Sequence, residues 1–292
     1  MGDVQFGQAD RRTGGQADSS LEPEFAAGGP AAVGPSAHPL VPLSASPSAL
    51  GTVAIVGGGC YGTFYAGQLE RARARGAASY RRVLVVDRDP GCRAAHELEP
   101  DPARELVVAE WADFFDRFLA RTGSATDGLP DAIVPSPLMP HLMHEWLVRR
   151  ARARWPGRPI ESRPLELPVG TPYDRLGPDG TRYVSFADWL CPVHCIEPST
   201  CPVIDAPRTW EMSDAVAGVI QRLSRSRRVA GPVLFVCRHR VYGVGMFDVS
   251  AVLAGERSVA EAGVAGEAVD IVVGTVSACH GAVGVLHLGP GR

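Results

Sequence analysis

The stretch that most constrains the fold of this chain runs from Val53 to Asp87. An apolar run, Val53–Val56, leads into three consecutive glycines. A helical pattern follows, and a second apolar run, Val83–Val86, ends on Asp87. This order of strand, tight turn, helix, strand and acidic residue is typical of a βαβ unit that binds the diphosphate of a dinucleotide. The chain is therefore expected to contain parallel strands joined by helices.

The glycine loop of this unit is predicted to bind the cofactor. Gly57 is expected to make the tight turn, Gly59 to let the backbone approach a pyrophosphate, and Gly62 to let the helix pack against the strands. The helix N-terminus at Cys60 and Tyr61 offers free N–H groups and a partial positive charge to an anion. An anionic diphosphate is thus the expected ligand of this loop.

Asp87 and Arg88, at the end of the second strand, bear on the choice of cofactor. Asp87 is placed to accept hydrogen bonds from ribose hydroxyls, and its charge repels the 2′-phosphate of NADP. Arg88 partly offsets that repulsion. The pair favours NAD over NADP.

The run Gly57-Gly58-Gly59-Cys60-Tyr61-Gly62, with Asp87 ahead, resembles the NAD(P)-binding Rossmann superfamily. The resemblance implies that Gly57, Gly59, Gly62 and Asp87 contact the cofactor. Two-domain flavoproteins begin in a similar way, so FAD is the second cofactor to consider. No narrower family is indicated.

Composition excludes several kinds of chemistry. All 29 basic residues are Arg, because the chain has no Lys. A Walker-loop lysine, a Schiff-base lysine and the Tyr-x-x-x-Lys pair of short-chain dehydrogenases are therefore impossible. The net charge of −3 gives no basic footprint for nucleic acid. No signal peptide or apolar spanning segment is evident, so a cytoplasmic protein without membrane insertion is expected.

The pattern along the chain predicts a disordered tail over residues 1–50 and one domain over 51–292. We expect an α/β fold with a doubly wound, mostly parallel six-stranded Rossmann-like sheet in the order 3-2-1-4-5-6. A Pro- and Gly-rich insertion over 156–208 interrupts it. The predicted strands are Val53–Val56, Val83–Val86, Glu105–Ala109, Asp131–Val134, Val233–Val236 and Val269–Val276.

The insertion ends in a loop with three cysteines, and this topology places that loop at the carboxyl edge of the sheet. Further thiols and imidazoles follow the fifth and sixth strands at the same edge. Such soft donors are ligands of zinc or of an iron–sulfur cluster. Two alternatives are small buried cysteines and a redox-active thiol. The predicted metal or redox residues are Cys191, Cys195, Cys201, Cys237, His239, Cys279 and His280.

Three further residues are candidates for roles near the nicotinamide. Pro135 lies at the tip of the fourth strand, where doubly wound dehydrogenases approach the cofactor. Cys195 is a candidate redox thiol. His141 is a candidate general acid or base, with a surface pair of helix histidines, His141 and His144, as the alternative.

Together these features predict an NAD(P)-binding oxidoreductase that acts on an unknown small molecule, with a thiol or metal site beside the dinucleotide. A non-enzymatic dinucleotide-sensing module and an FAD-binding oxidoreductase are the alternatives. Neither the substrate nor the oligomeric state is indicated by the sequence.

Overall fold

The computed structural model describes residues 48–121, 128–192 and 195–291. The predicted disordered tail lies outside these ranges, except for residues 48–50, which begin the first strand. The helices are α1 (Cys60–Ala74), α2 (Arg93–Glu97), α3 (Trp111–Arg121), α4 (Leu142–Arg154), α5 (Met212–Leu223) and α6 (Val249–Gly263). The strands are β1 (Ser48–Val56), β2 (Ala78–Asp87), β3 (Arg104–Val108), β4 (Ala132–Val134), β5 (Ile160–Arg163), β6 (Tyr173–Leu176), β7 (Arg182–Ser185), β8 (Thr200–Cys201), β9 (Ala206–Pro207), β10 (Val229–Val236), β11 (Arg238–Val241), β12 (Val244–Asp248), β13 (Val269–Val276) and β14 (His280–Leu288).

The first sheet has the strand order β11-β12-β4-β1-β2-β3. Its four strands β3, β2, β1 and β4 run parallel and lie in the order that the βαβ unit predicts. Residues 53–56 of β1 are buried, as expected for a parallel strand covered on both faces. Beyond β4, however, β12 pairs with it in the antiparallel direction.

The second sheet has the order β10-β13-β14-β7-β6, and β5 also pairs with β14. Only β10 and β13 are parallel in it, and β14 runs antiparallel to β13, β7 and β5. The prediction of one doubly wound, mostly parallel sheet of six strands is therefore wrong. The predicted fifth and sixth strands belong to a second, mixed sheet.

Two local features explain this error. The apolar pattern from Met246 to about Ala262 predicts a helix, but Met246 and Phe247 lie in β12, where Met246 pairs with Arg238 of β11 and Phe247 with Ile133 of β4. Short apolar runs do not distinguish strand from helix by periodicity. A short turn at residues 277–279 also folds the chain back into β14, and a direct turn of this kind makes the pair antiparallel.

The largest core cluster joins both sheets. It includes Val56 and Ile133 from the first sheet, Phe235 and Leu286 from the second, and side chains of α3, α4 and α6. Helix α1 packs on the other face of the first sheet, and α5 on the other face of the second. Among the described residues, no helix combines the length and apolar character that a membrane span requires.

Candidate functional site

The glycine loop between β1 and α1 has the backbone geometry that its sequence predicts. Gly57 adopts φ +85°, a left-handed conformation that favours glycine. A Cβ on Gly62 would lie 1.8 Å from the carbonyl oxygen of Gly57, so helix and loop meet too closely for any side chain there. A Cβ on Gly59 would meet nothing within 4 Å, so there is open space in front of that residue.

Asp87 organises this loop. One carboxylate oxygen accepts the N–H of Gly58 at 2.6 Å, and the other accepts the N–H of Asp89 at 2.9 Å. Each oxygen keeps a further lone pair for a ligand hydroxyl. Arg88 is turned towards α3, with its guanidinium 5.5 Å from the centre of the Trp111 ring. No direct contact between Arg88 and Asp87 therefore supports the predicted partial offset of the Asp87 charge.

The first turn of α1 borders the same loop. Cys60 is exposed, and no side chain caps the helix at Gly59. The ring of Tyr61 lies 6.3 Å from that of Tyr65, one turn further along α1. Of these residues, Tyr65 also lines a neighbouring cavity.

A cavity of about 430 Å³, which we call the thiol cavity, lies where β4, β10 and β13 end. It is lined by residues that follow each of these strands, among them Ser136, Cys237 and Ser277. The loop from the insertion forms another wall. The seven residues predicted as a metal or redox set all line it: Cys191, Cys195, Cys201, Cys237, His239, Cys279 and His280.

Glu197 fastens the cysteine loop to the second sheet. Its carboxylate accepts the Ser277 hydroxyl at 2.5 Å and the backbone N–H groups of Ala278 and Cys279 at 2.9 and 3.1 Å. The side chain is 8% exposed, and the residue has φ +50°. A buried carboxylate requires such donors, because burying a charge without partners is costly. The β13–β14 turn thus anchors the part of the loop around Glu197 beside the cavity.

The two imidazoles in the cavity have polar groups near their Nδ1 atoms. His280 faces Ser185 across the β14–β7 pair, with 2.9 Å between its Nδ1 and the Ser185 Oγ. The Nδ1 of His239 lies 3.8 Å from a carboxylate oxygen of Glu197. Burial lowers the pKa of both histidines, although the Glu197 charge opposes the shift. Both rings are accordingly neutral near pH 7.

The tautomer of His280 follows from its partner. The Ser185 hydroxyl is also within 2.8 Å of the Ala187 carbonyl oxygen, to which it can donate. With its one proton used there, Ser185 accepts from the Nδ1–H of His280. The Nε2 lone pair of His280 is then available in the cavity.

Three of the cavity thiols are held in their protonated form. Burial raises the pKa of Cys237 to about 12 and that of Cys279 to about 11, and the negative charge of Glu197 adds to both shifts. Burial also raises the pKa of Cys191, with a contribution from the neighbouring Cys195 and Cys201. Cys191, Cys237 and Cys279 are therefore neutral thiols rather than thiolates. All seven cysteines are free.

Aromatic residues complete the walls. The indole N–H of Trp210 points to the Cys279 sulfur at 3.3 Å, and its ring stacks on Phe186 with 5.7 Å between ring centres. The Arg208 guanidinium donates to the Trp210 carbonyl at 2.9 Å and to Glu211 at 2.5 Å. The basic side chain in this wall is therefore already paired.

Residues 143–289 match the family model AF_1314_C, described as "Uncharacterized protein, C-terminal domain". The chain belongs to the AF_1314_C family. Comparison with curated proteins and with solved structures gave no match. The matched region spans almost all of α4 and ends within the last residues after β14. It contains every cysteine and histidine of the predicted metal or redox set, whereas the glycine loop lies before it.

The thiols of this AF_1314_C domain share a cavity but are not arranged as a metal site. Within residues 48–121, 128–192 and 195–291, no three His, Cys, Asp or Glu side chains are grouped as a metal ion requires. Zinc or iron–sulfur binding stays a prediction, since the donor types are suitable but their present spacing is not.

The other predicted residues divide between two cavities. Pro135 lines the thiol cavity, as does Cys195, whose sulfur accepts the N–H of Glu197 at 3.4 Å. His141 instead lines a separate cavity of about 60 Å³ with His144 and Asp179. Its Nε2 lies 3.5 Å from Glu145.

His144 is not the surface residue that the alternative interpretation assumed. It is buried, and its Nε2 lies 3.0 Å from the Ser162 hydroxyl. Burial, helped by the nearby His141, lowers its pKa to about 4. His144 is therefore a neutral part of the packing between α4 and β5.

Sequence reasoning missed the residues that organise the thiol cavity. Glu197 lies between Cys195 and Pro198, within the cysteine loop predicted from the sequence. A carboxylate among cysteines is the sequence signal that could have identified it. Ser185 and Trp210 carry no such local signal. They reach the cavity only through strand pairing and the turn before α5.

Proposed function

We propose that this protein is an oxidoreductase that binds a dinucleotide at the Gly57–Gly62 loop and carries out its chemistry in the thiol cavity. One observation carries the proposal. Tyr65, on the helix that begins at the glycine loop, and Pro135, at the end of the strand beside β1, both belong to the wall of the cavity that contains five cysteines. A ligand that extends from the loop along this edge would therefore reach the thiols and imidazoles.

The loop fits the diphosphate of a dinucleotide. Gly57 makes the turn, Gly59 leaves open space before the backbone, and the first turn of α1 has no side-chain cap that competes for its N–H groups. Asp87 keeps lone pairs for a ribose, which favours NAD over NADP. When bound, the nicotinamide would supply or accept a hydride.

The chain's own residues would control protons and exclude water. His280, fixed by Ser185, is the proposed proton acceptor at a substrate hydroxyl, because its ring is neutral and its Nε2 has a lone pair. Cys195 stays the candidate redox thiol, since it lines the cavity. His141 has no part in this proposal, because it lies in the other cavity.

The cavity supports an enzyme over the alternative of a sensor. A sensor needs only a dinucleotide crevice, whereas this edge also has a cavity lined by two imidazoles and an arginine. The proposal places the protein in the cytoplasm, because all seven cysteines are free thiols and reducing compartments maintain them.

The test is calorimetric titration of the purified protein with NADH and with NADPH. We expect saturable binding that favours NADH and that weakens by roughly tenfold or more in Gly59→Ala, because the new methyl group occupies the space of the diphosphate. Gly218→Ala, in α5 and also free of close contacts, is the matched control and should bind as the wild type does. No heat with either dinucleotide would contradict the proposal.

A second measurement concerns the metal. Protein purified without oxygen is analysed for zinc and iron, and its visible spectrum is recorded with and without NADH. An iron–sulfur absorption, a flavin absorption or stoichiometric zinc would each identify a bound group, and loss of that group in Cys191→Ala with Cys201→Ala would assign it to the thiol cavity. Metal-free protein that binds NADH would show that the metal is not needed for cofactor binding.

A further inference from the structure

Five aromatic side chains are among the residues that line the thiol cavity. Its volume of about 430 Å³ lies within the range of roughly 300–1,000 Å³ that small-molecule sites occupy. Trp210, whose ring stacks on Phe186 outside the lining, supplies one aromatic surface. Flat, apolar walls favour a planar ring in the ligand. The aromatic residues that line the cavity are Tyr65, Tyr173, Tyr183, Trp189 and Trp210.

The charges of the cavity disfavour an anion. Among the described residues that line it, Glu197 and Arg208 carry the formal charges near pH 7. Arg208 is already paired with Glu211 outside the lining, so the carboxylate of Glu197 is left as the excess charge. The thiols of Cys237 and Cys279 and the imidazole of His280 are neutral. An uncharged ligand therefore enters more easily than an anionic one.

One hydrogen-bond donor in the wall has no strong partner. The indole nitrogen of Trp189 is buried and has no partner in normal hydrogen-bond geometry among the described residues; the thiol of Cys191, a weak acceptor, lies beside it. Buried donors in native proteins are nearly always paired, and an exception calls for a ligand or a water. A carbonyl oxygen in the cavity would satisfy this donor.

The segment around Trp189 also exposes apolar side chains. Leu190, the next residue, is 92% exposed, and Ile196, between the lining residues Cys195 and Glu197, is 56% exposed. Both belong to the loop that forms one wall of the cavity. Apolar side chains there assist the entry of an apolar compound.

We propose that the thiol cavity takes an uncharged aromatic ketone or aldehyde, with its ring against Trp210 and its carbonyl oxygen accepting the indole N–H of Trp189. This inference rests on the proposed function, which makes the cavity the reaction site. It adds the class of the substrate and the two residues that select it.

The test uses three probes of nearly equal shape, measured by calorimetry on the protein without added dinucleotide. 2-Acetylnaphthalene has the ketone carbonyl. In 2-naphthoate a carboxylate replaces it, and in 2-isopropenylnaphthalene an alkene replaces it. We expect the ketone to bind, the carboxylate to bind roughly tenfold or more weakly, and the alkene to bind roughly fivefold to tenfold more weakly, since it lacks one hydrogen bond.

Two variants identify the donor. Trp189→Phe keeps an aromatic ring but removes the N–H, so it should weaken ketone binding roughly fivefold to tenfold and leave alkene binding unchanged. Trp111→Phe is the matched control, because the Trp111 indole nitrogen is also buried without a partner but lies outside the thiol cavity. It should bind all three probes as the wild type does.

The outcomes separate this inference from the proposed function. If NADH binds but the ketone does not, or if 2-naphthoate binds as tightly as the ketone, the substrate class is wrong and the dinucleotide proposal stands. If the ketone binds with the expected order and NADH does not bind, the cavity specificity is supported and the dinucleotide proposal fails. Equal effects of Trp189→Phe and Trp111→Phe would overturn the role of Trp189.

Discussion

The carboxylate of Glu197 accepts the backbone N–H of Cys279, with 3.1 Å between oxygen and nitrogen. This contact joins two cavity segments that lie 82 residues apart in the chain. The loop that carries three cysteines and the turn that carries a fourth are thereby fixed to each other. The cavity walls depend on this one buried side chain.

Glu197→Gln is expected to destabilise the protein. The NH2 group of glutamine replaces one of the two carboxylate oxygens. It is a donor that faces the N–H groups of Ala278 and Cys279, so one acceptor is lost. The free energy of unfolding should fall by about 1–3 kcal/mol, measured by urea denaturation. Glu211→Gln, at the exposed partner of Arg208, is the control and should change it by less than about 1 kcal/mol. Equal stability of Glu197→Gln and wild type would contradict the fastening role.

His144 should make the protein less stable as the pH falls below 6.5. Its pKa is about 4 in the folded state and 6.5 as a free side chain, so between these values the unfolded chain takes up a proton that the folded chain does not. The loss amounts to about 3 kcal/mol by pH 4. Urea denaturation across this range should show a shallower decline for His144→Gln than for wild type. His96→Gln, at an exposed position, should decline as the wild type does.

The cavity thiols should react slowly with iodoacetamide. At pH 8 the thiolate fraction of Cys279 is on the order of 10⁻³ from its pKa of about 11, and that of Cys237 is lower still. Cys60 is exposed and should be labelled first in a mass-spectrometric time course. In urea, Cys60, Cys237 and Cys279 should react alike. Fast labelling of Cys237 in the native protein would contradict the assigned environment.

Gly62→Ala should destabilise the fold while Gly59→Ala should not. The added methyl group at residue 62 meets the Gly57 carbonyl oxygen, whereas at residue 59 it meets open space. We expect a loss of about 1–3 kcal/mol for Gly62→Ala, as for other overpacked contacts. Thermal and urea denaturation of the two variants side by side provide the measurement. A Gly62→Ala variant as stable as Gly59→Ala would show that α1 can move away from the loop.

The glycine loop and its flanking strands could be predicted from the sequence because their signals are local. The turn at Gly57, the close contact at Gly62 and the alternating apolar runs lie within 35 residues, and the parallel order β3-β2-β1-β4 follows from short right-handed crossovers. The prediction that the cysteine loop lies at the carboxyl edge rested on one parallel sheet, which is wrong, although the loop does line the cavity at the ends of β4, β10 and β13.

The division into two sheets could not be predicted in the same way. A strand such as β12 or β14 has the same apolar pattern whether its neighbour is parallel or antiparallel, and the choice depends on turns and packing far from it in the chain. The roles of Ser185, Trp189 and Trp210 escaped prediction for the same reason. Their partners come from other strands and loops.

The sequence by itself determined the βαβ unit, the absence of lysine chemistry and the set of cysteines and histidines that meet at one edge. Only the tertiary structure decided that these groups line one cavity at the ends of β4, β10 and β13, that Glu197 joins two of its segments, and that the thiols of Cys237 and Cys279 stay protonated. The reason is physical. Local backbone preferences act over a few residues, whereas burial, charge and hydrogen-bond partners are set by segments that meet only when the chain is folded.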